Sequence, residues 1–175
     1  MKTHPYSKVF EAAFRHLLEL EGGYSDDPDD RGGQTKYGIS KRAHPDVDIP
    51  NLTLGQAKAI YWQSYWCANH CDKLSEPLAL ALFDGVVNHR AKVARKLLQL
   101  ALSVNPDGIL GPVTLSTAAS ADCKRVIARY FAGRANLYRE IIAANSSQAK
   151  FAYGWFKRLF KVQQYILEEC WPWHP

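Results

Sequence analysis

Apolar residues recur every three or four positions along most of this chain, which is the period of helices with one buried face. Tyr6, Val9, Phe10, Ala13, Phe14, Leu17 and Leu18 hold that spacing behind Ser7, a residue type suited to an N-cap. Gly22-Gly23 then stops the helix, so Glu21 falls in its last turn. Thr53-x-x-Gln56 reads as a capping box opening a helix to about Ala68. Pro77 suits the first turn of a helix reaching about Asn88. Further helices are predicted over 91–102, from Gly111-Pro112, from an Asp122 cap to Ala144, and over 155–169. Turns at Asn105-Pro106-Asp107-Gly108 and Asn145-Ser146-Ser147 separate them. Residues 24–52 lack the helical period, and Asp29 to Ser40 predicts a short irregular hairpin turning at Gly32-Gly33. The expected fold is mainly α, with a small β element near residues 29–40.

Composition narrows this picture. The 175 residues are 47% hydrophobic and 22% charged, enough for a core that needs no disulfide or metal. The longest apolar stretches, such as Leu78–Phe83, fall far short of the ~20 residues of a membrane span, so no stable membrane insertion is expected. Met1 to Val9 shows no apolar segment of the secretory type, so no export signal is expected. The net charge of +5 is unevenly spread. Residues 1–88 carry 9 basic and 12 acidic groups, net −3, and residues 89–175 carry 13 and 5, net +8. The switch makes 1–88 and 89–175 the candidate regions, closely packed, and gives the second a preference for anionic partners. Nucleic acid, an anionic membrane surface and a bacterial wall all qualify. No helix–turn–helix, zinc finger or stacking sheet accompanies the charge, so nucleic acid is not expected. The basic set Arg125, Arg129, Arg134, Arg139, Lys157, Arg158 and Lys161 reads mostly as a solvated helix face, with wall or membrane binding as a secondary role.

Metal chemistry finds little support. Cys67, His70 and Cys71 have helical i, i+3, i+4 spacing, but a fourth ligand and any C-x-x-C pair are missing, and buried thiols are the simpler reading. Asp27-x-Asp29-x-Arg31-Gly32 starts like a calcium loop yet has Gly38 at the twelfth position, where a bidentate Glu is required. Neither a metal nor a cofactor is expected.

The pattern that carries chemistry is Glu21-x8-Asp30-x4-Thr35. Glycosidic hydrolysis needs one carboxyl group kept protonated for the leaving oxygen and a second kept ionised. Glu21, beside Leu18, Leu20 and Tyr24, sits in the more apolar setting, and Asp30, between Asp29 and Arg31, in the more polar one. A solvated acidic loop beside a helix-end Glu is the plainer alternative.

Glu21-Gly22-Gly23-Tyr24, Pro28, Asp30, Gly32-Gly33, Thr35 and Gly38-Ile39 together resemble the signature of glycoside hydrolase family 108, N-acetylmuramidases of the lysozyme superfamily. The resemblance continues through Leu52-Thr53-Leu54, Ala57, Ile60-Tyr61 and Tyr65-Trp66, then Phe83-Asp84-x-x-Val87-Asn88. Asp107-Gly108-Ile109-Leu110-Gly111-Pro112-x-Thr114 and Phe151-x-x-Gly154-Trp155-x-x-Arg158 resemble a region often described as peptidoglycan-binding. Arg90 departs from the family, which is expected to have glycine there.

The resemblance implies a lysozyme-like helical fold. It implies hydrolysis of the β-1,4 bond between N-acetylmuramic acid and N-acetylglucosamine, with Glu21 as proton donor. By similarity to phage lysozymes, Asp30 and Thr35 would position the attacking water. Tyr24 and Tyr37 would stack on sugars or close the hairpin. Asp84 and Asn88, four residues apart on one helix face, would hold substrate or tie down the loop above. The aromatic band Tyr61, Trp62, Tyr65 and Trp66 reads mostly as core. The implied partner is the peptidoglycan glycan strand and the implied place of action the cell wall, reached through a holin pore or a nonclassical route, with a monomer favoured. The alternative is a noncatalytic wall-binding or secretion-related protein on the same fold.

Overall fold

The computed structural model describes residues 6–20 and 34–171 of the chain. The fold is mainly α and lysozyme-like, with one small antiparallel sheet. The chain divides into two compact units, Met1–Ser64 and Tyr65–Pro175.

In the first unit, α1 (Lys8–Leu20) begins where the Phe10 N–H donates to the Ser7 hydroxyl at 3.2 Å. Its periodic apolar residues Phe10, Ala13, Phe14 and Leu17 are buried. They meet the rings of the turn that follows α2 (Leu54–Ile60), with Phe10 4.9 Å from Trp62 and Phe14 5.7 Å from Tyr61, centroid to centroid. On the flank of this contact Lys58 pairs with Glu11 and sets its ammonium over the Tyr6 ring at 4.9 Å. The capping box at α2 forms as the sequence predicts. The Thr53 N–H donates to the Gln56 side-chain oxygen at 2.8 Å, and the Gln56 N–H returns a bond to the Thr53 hydroxyl at 3.3 Å.

The helix does not run uniformly to Ala68. It widens into a π-helical turn over Tyr61–Trp66, tightens to 3-10 over Cys67–Asn69, and ends at His70, whose φ is +52°. The left-handed residue breaks the shared face on which Cys67, His70 and Cys71 were expected. No group of three metal-binding side chains occurs among the described residues.

The hairpin also departs from expectation. Strands β1 (Thr35–Lys36) and β2 (Ile39–Ser40) pair Thr35 with Ser40 and Lys36 with Ile39, so the described turn is Tyr37-Gly38. Both central residues have positive φ, +53° and +76°. A two-residue turn of this hand matches the twist of the strands, and it is glycine that adopts it without strain. Gly38 meets that requirement.

In the second unit, α3 (Glu76–Asn88) is buried at every position from Leu78 to Val86. A helix without a polar face must be surrounded, and α4 (Ala91–Ala101), α6 (Cys123–Ala144) and α7 (Ala152–Cys170) pack against it. The short α5 (Pro112–Ser120) follows a loop wound around buried Gln99. The Gln99 amide nitrogen donates to the Asp107 carboxylate at 2.7 Å, the Ile109 carbonyl at 3.0 Å and the Thr114 hydroxyl at 3.2 Å. Its oxygen accepts from the Gly108 N–H at 2.7 Å. These bonds explain the D-G-x-x-G-P-x-T spacing, since each polar member satisfies one side-chain amide.

Gly85 on α3 is where α6 comes closest, since a Cβ there would lie 1.9 Å from the Tyr130 hydroxyl oxygen. That hydroxyl is buried and has no hydrogen-bond partner among the described residues. Gly85→Ala is therefore expected to destabilise the protein by about 1–3 kcal/mol through overpacking. Tyr130→Phe is expected to be neutral or slightly stabilising, and it should recover part of the Gly85→Ala loss. Urea unfolding of the two single variants and the double variant checks this.

Candidate active site

Thr35 and Tyr37 are the described members of the expected catalytic region; Glu21, Tyr24 and Asp30 lie outside the described residues. Three contacts hold the hairpin that carries the first two. Ile39 is fully buried, the Tyr61 hydroxyl donates to the Tyr37 carbonyl at 3.0 Å, and the Lys36 ammonium donates to the Pro50 carbonyl at 2.8 Å. Thr35 thus starts a strand anchored on both sides, and Tyr37 sits half-buried at its turn. In the same unit a cleft of about 460 Å³ is lined by Asp46, Asp48, Asn51 and Gln56 with Val47, Leu52, Ala59 and Ile60. The Asp48 carboxyl is held below its ordinary range by bonds from the Asn51 side chain and backbone. No motif or period marks Asp46, Asp48 or Asn51 in the sequence, and Gln56 is marked there only as part of a helix cap.

In the second unit Asp84 and Asn88 do come together. The Asn88 amide nitrogen donates to the Asp84 carbonyl at 2.9 Å and to its carboxylate at 3.2 Å. This leaves the Asn88 side-chain oxygen available to an outside donor on an exposed residue. Asp84 itself is not placed to bind substrate as expected. Its buried carboxylate lies 2.7 Å from Arg134 Nη1, and it accepts from Arg158 Nε at 3.0 Å with Arg158 Nη2 at 2.9 Å. Arg134 and Arg158 were expected on a solvated face. Arg134 is instead fully buried and Arg158 nearly so, because a carboxylate at the centre of an apolar helix must be met by cations. Burial opposes ionisation of Asp84, but Arg134 and then Arg158 outweigh it and hold the carboxyl below its usual range.

His89 closes α3, its ring 5.5 Å from Tyr138 and its backbone N–H bonded to the Gly85 carbonyl. Burial, reinforced by Arg134, lowers its pKa to about 4.

The comparisons with known proteins bear on this arrangement. Residues 14–89 match the family model described as Glycosyl hydrolase 108, and residues 92–160 match one described as Predicted Peptidoglycan domain. The likeness to the glycosyl hydrolase 108 family is thus carried by residues 14–89. Both matches tie its function to peptidoglycan. A solved structure titled Structure of Brucella abortus SagA is similar over 91% of this chain and 94% of that one, with 27% sequence identity and a TM-score of 0.79. No curated protein matches. The hydrolase match ends after α3, whereas α3 belongs to the second compact unit.

Two outcomes follow from the buried cluster. Asp84→Ala leaves two guanidiniums without a counter-charge and is expected to cost about 3–5 kcal/mol in urea unfolding. His89 takes up its proton near pH 6.5 when unfolded and only near 4 when folded. The unfolded chain therefore binds more protons between those values, and stability is full above pH 6.5 and falls toward pH 4. The expected loss is about 3 kcal/mol, and a His89→Gln variant should show a correspondingly flatter pH profile.

Proposed function

We propose that the protein is a muramidase that cleaves the β-1,4 bond between N-acetylmuramic acid and N-acetylglucosamine. What supports this reading is that Glu21 is the next residue in sequence after α1 and falls within the residues matched to the hydrolase family. In this proposal Glu21 is the general acid. Its side chain gives a proton to the glycosidic oxygen, and the bond from that oxygen to the anomeric carbon breaks. Asp30 and Thr35 orient a water for attack on the opposite face of the ring, which inverts the anomeric configuration. Tyr24 and Tyr37 line the sugar path, and Asn88 offers its side-chain oxygen to a sugar hydroxyl or amide. Asp84 acts behind Asn88 by holding its amide nitrogen. The region from residue 92 onward supports retention on the wall, in keeping with its excess of positive charge.

Glutamine has nearly the shape of glutamate and can hydrogen-bond the same oxygen, but it has no proton to release. Glu21→Gln is expected to fold, to pull down with purified peptidoglycan as wild type does, and to lose roughly 10²–10⁴-fold in the rate of dye release from labelled walls. Equal lysis by the two proteins would remove Glu21 as the acid. Undiminished wall function with no lysis by either protein would favour a binding or secretion-related role.

A further inference from the structure

Helix α7 is apolar on two separate sides. Leu159, Val162 and Ile166 are buried against the rest of the second unit. Tyr153, Phe160 and Leu167 are 78%, 62% and 45% exposed. Seven residues make nearly two full turns, so these three side chains drift by only about 20° per step and form one line about 21 Å long. A helix packed on a core normally turns charged and polar residues outward. Here the outward line is aromatic and aliphatic.

The charges beside this line are mostly positive, with exposed Glu168, bonded to Gln164, at its C-terminal end. Lys157 and Lys161 are exposed and follow it along one edge, and the Lys157 ammonium lies over the Tyr153 ring at 5.8 Å. At the N-terminal end, half-exposed Phe151 carries the Lys150 ammonium over its ring at 5.0 Å. No Asp or Glu occurs from Ile141 to Leu167, whereas Lys150, Lys157, Arg158 and Lys161 do. Arg158 is committed to Asp84, which leaves three lysines for an outside partner.

We propose that this face of α7 is an interfacial surface that binds an anionic lipid bilayer, lying on the membrane and not crossing it. No helix among the described residues is long and apolar enough to span one. Tyr153, Phe160 and Leu167 enter the headgroup boundary, where aromatic rings are favoured. The lysines meet lipid phosphates, their apolar stems lying along the same boundary. The observations select this occupant over others. A second copy of the chain would set lysines against each other, with carboxylates only at the C-terminal end of the line, at Glu168 and Glu169. Sugar recognition needs several directional donors and acceptors around the ring, and along the line the Tyr153 hydroxyl and the Gln164 amide are few and far apart. A bilayer offers the apolar layer and the negative charge together. Such binding would hold a wall-directed protein at the membrane side of its substrate, and it does not depend on Glu21 or on catalysis.

Co-sedimentation of the full chain with vesicles of phosphatidylcholine, alone or mixed with phosphatidylglycerol, tests this. Wild type is expected to pellet with the mixed vesicles, and to be released from them by high salt. A lysine near an anionic surface is worth about fivefold in partitioning. Lys157→Glu combined with Lys161→Glu should therefore weaken binding by about thirtyfold or more. Phe160→Ser combined with Leu167→Ser should weaken it without lowering the thermal unfolding midpoint, since both residues are exposed. No pelleting of wild type, or equal pelleting of wild type and both variants, would overturn the proposal. So would a dimer in sedimentation equilibrium that Phe160→Ser dissolves, which would assign the face to a second copy. Loss of binding to purified peptidoglycan, with vesicle binding unchanged, would assign it to the wall.

Discussion

A single buried carboxylate organises the second unit. Asp84 sits on α3, whose middle is buried on all sides, and it is met from α6 by Arg134 and from α7 by Arg158. Removing three charged groups from water is costly, and such clusters often contribute less to stability than an apolar replacement would. What this one imposes is register. The two guanidiniums reach the same carboxylate only when three helices stand at one depth relative to each other. Sliding any of them by a turn would leave a buried charge without its counter-charge. The same carboxylate holds the Asn88 amide, so the orientation of an exposed polar side chain at the end of α3 depends on arginines 46 and 70 residues later in the chain. His89, next along, is kept neutral by its burial and by the neighbouring Arg134.

The first unit works differently, through aromatic packing and backbone constraint. Phe10, Phe14, Tyr61 and Trp62 give α1 a fixed seat. The hairpin has only two residues in each strand, too few to be stable alone. It is held by Ile39 in the core and by side chains from outside it, the Tyr61 hydroxyl on the Tyr37 carbonyl and the Lys36 ammonium on the Pro50 carbonyl. The positive φ of Tyr37 is tolerated because these contacts over-determine the turn.

Helix α7 joins the two themes of charge and burial. Its inner side carries Arg158 to Asp84, and its outer side carries the line Tyr153, Phe160 and Leu167. The same helix thus serves the core and faces outward with apolar side chains, and the cations along it divide accordingly. Arg158 is spent inside, while Lys157 and Lys161 remain at the surface.

The sequence by itself determined the helices and the likeness to the hydrolase family. Ser7, the Thr53–Gln56 box, Pro77, Gly111-Pro112 and Asp122 mark helix starts because capping is a local interaction, complete within four residues. The motif from Glu21 to Ile39 was equally legible, as a fixed spacing of chemically particular residues, and it brought Thr35 and Tyr37 into one short segment. Only the tertiary structure decided what arginines and apolar residues do. Arg125 and Arg134 read alike along one helix, yet the first is solvated and the second is enclosed. Leu159 and Phe160 are adjacent and both apolar, yet one is core and the other surface. Asp84, four residues before Asn88, read as a possible ligand until two arginines were found on it. The reason is physical: helical period and capping depend on neighbours in the chain, whereas the fate of a charge depends on what distant segments bring to it.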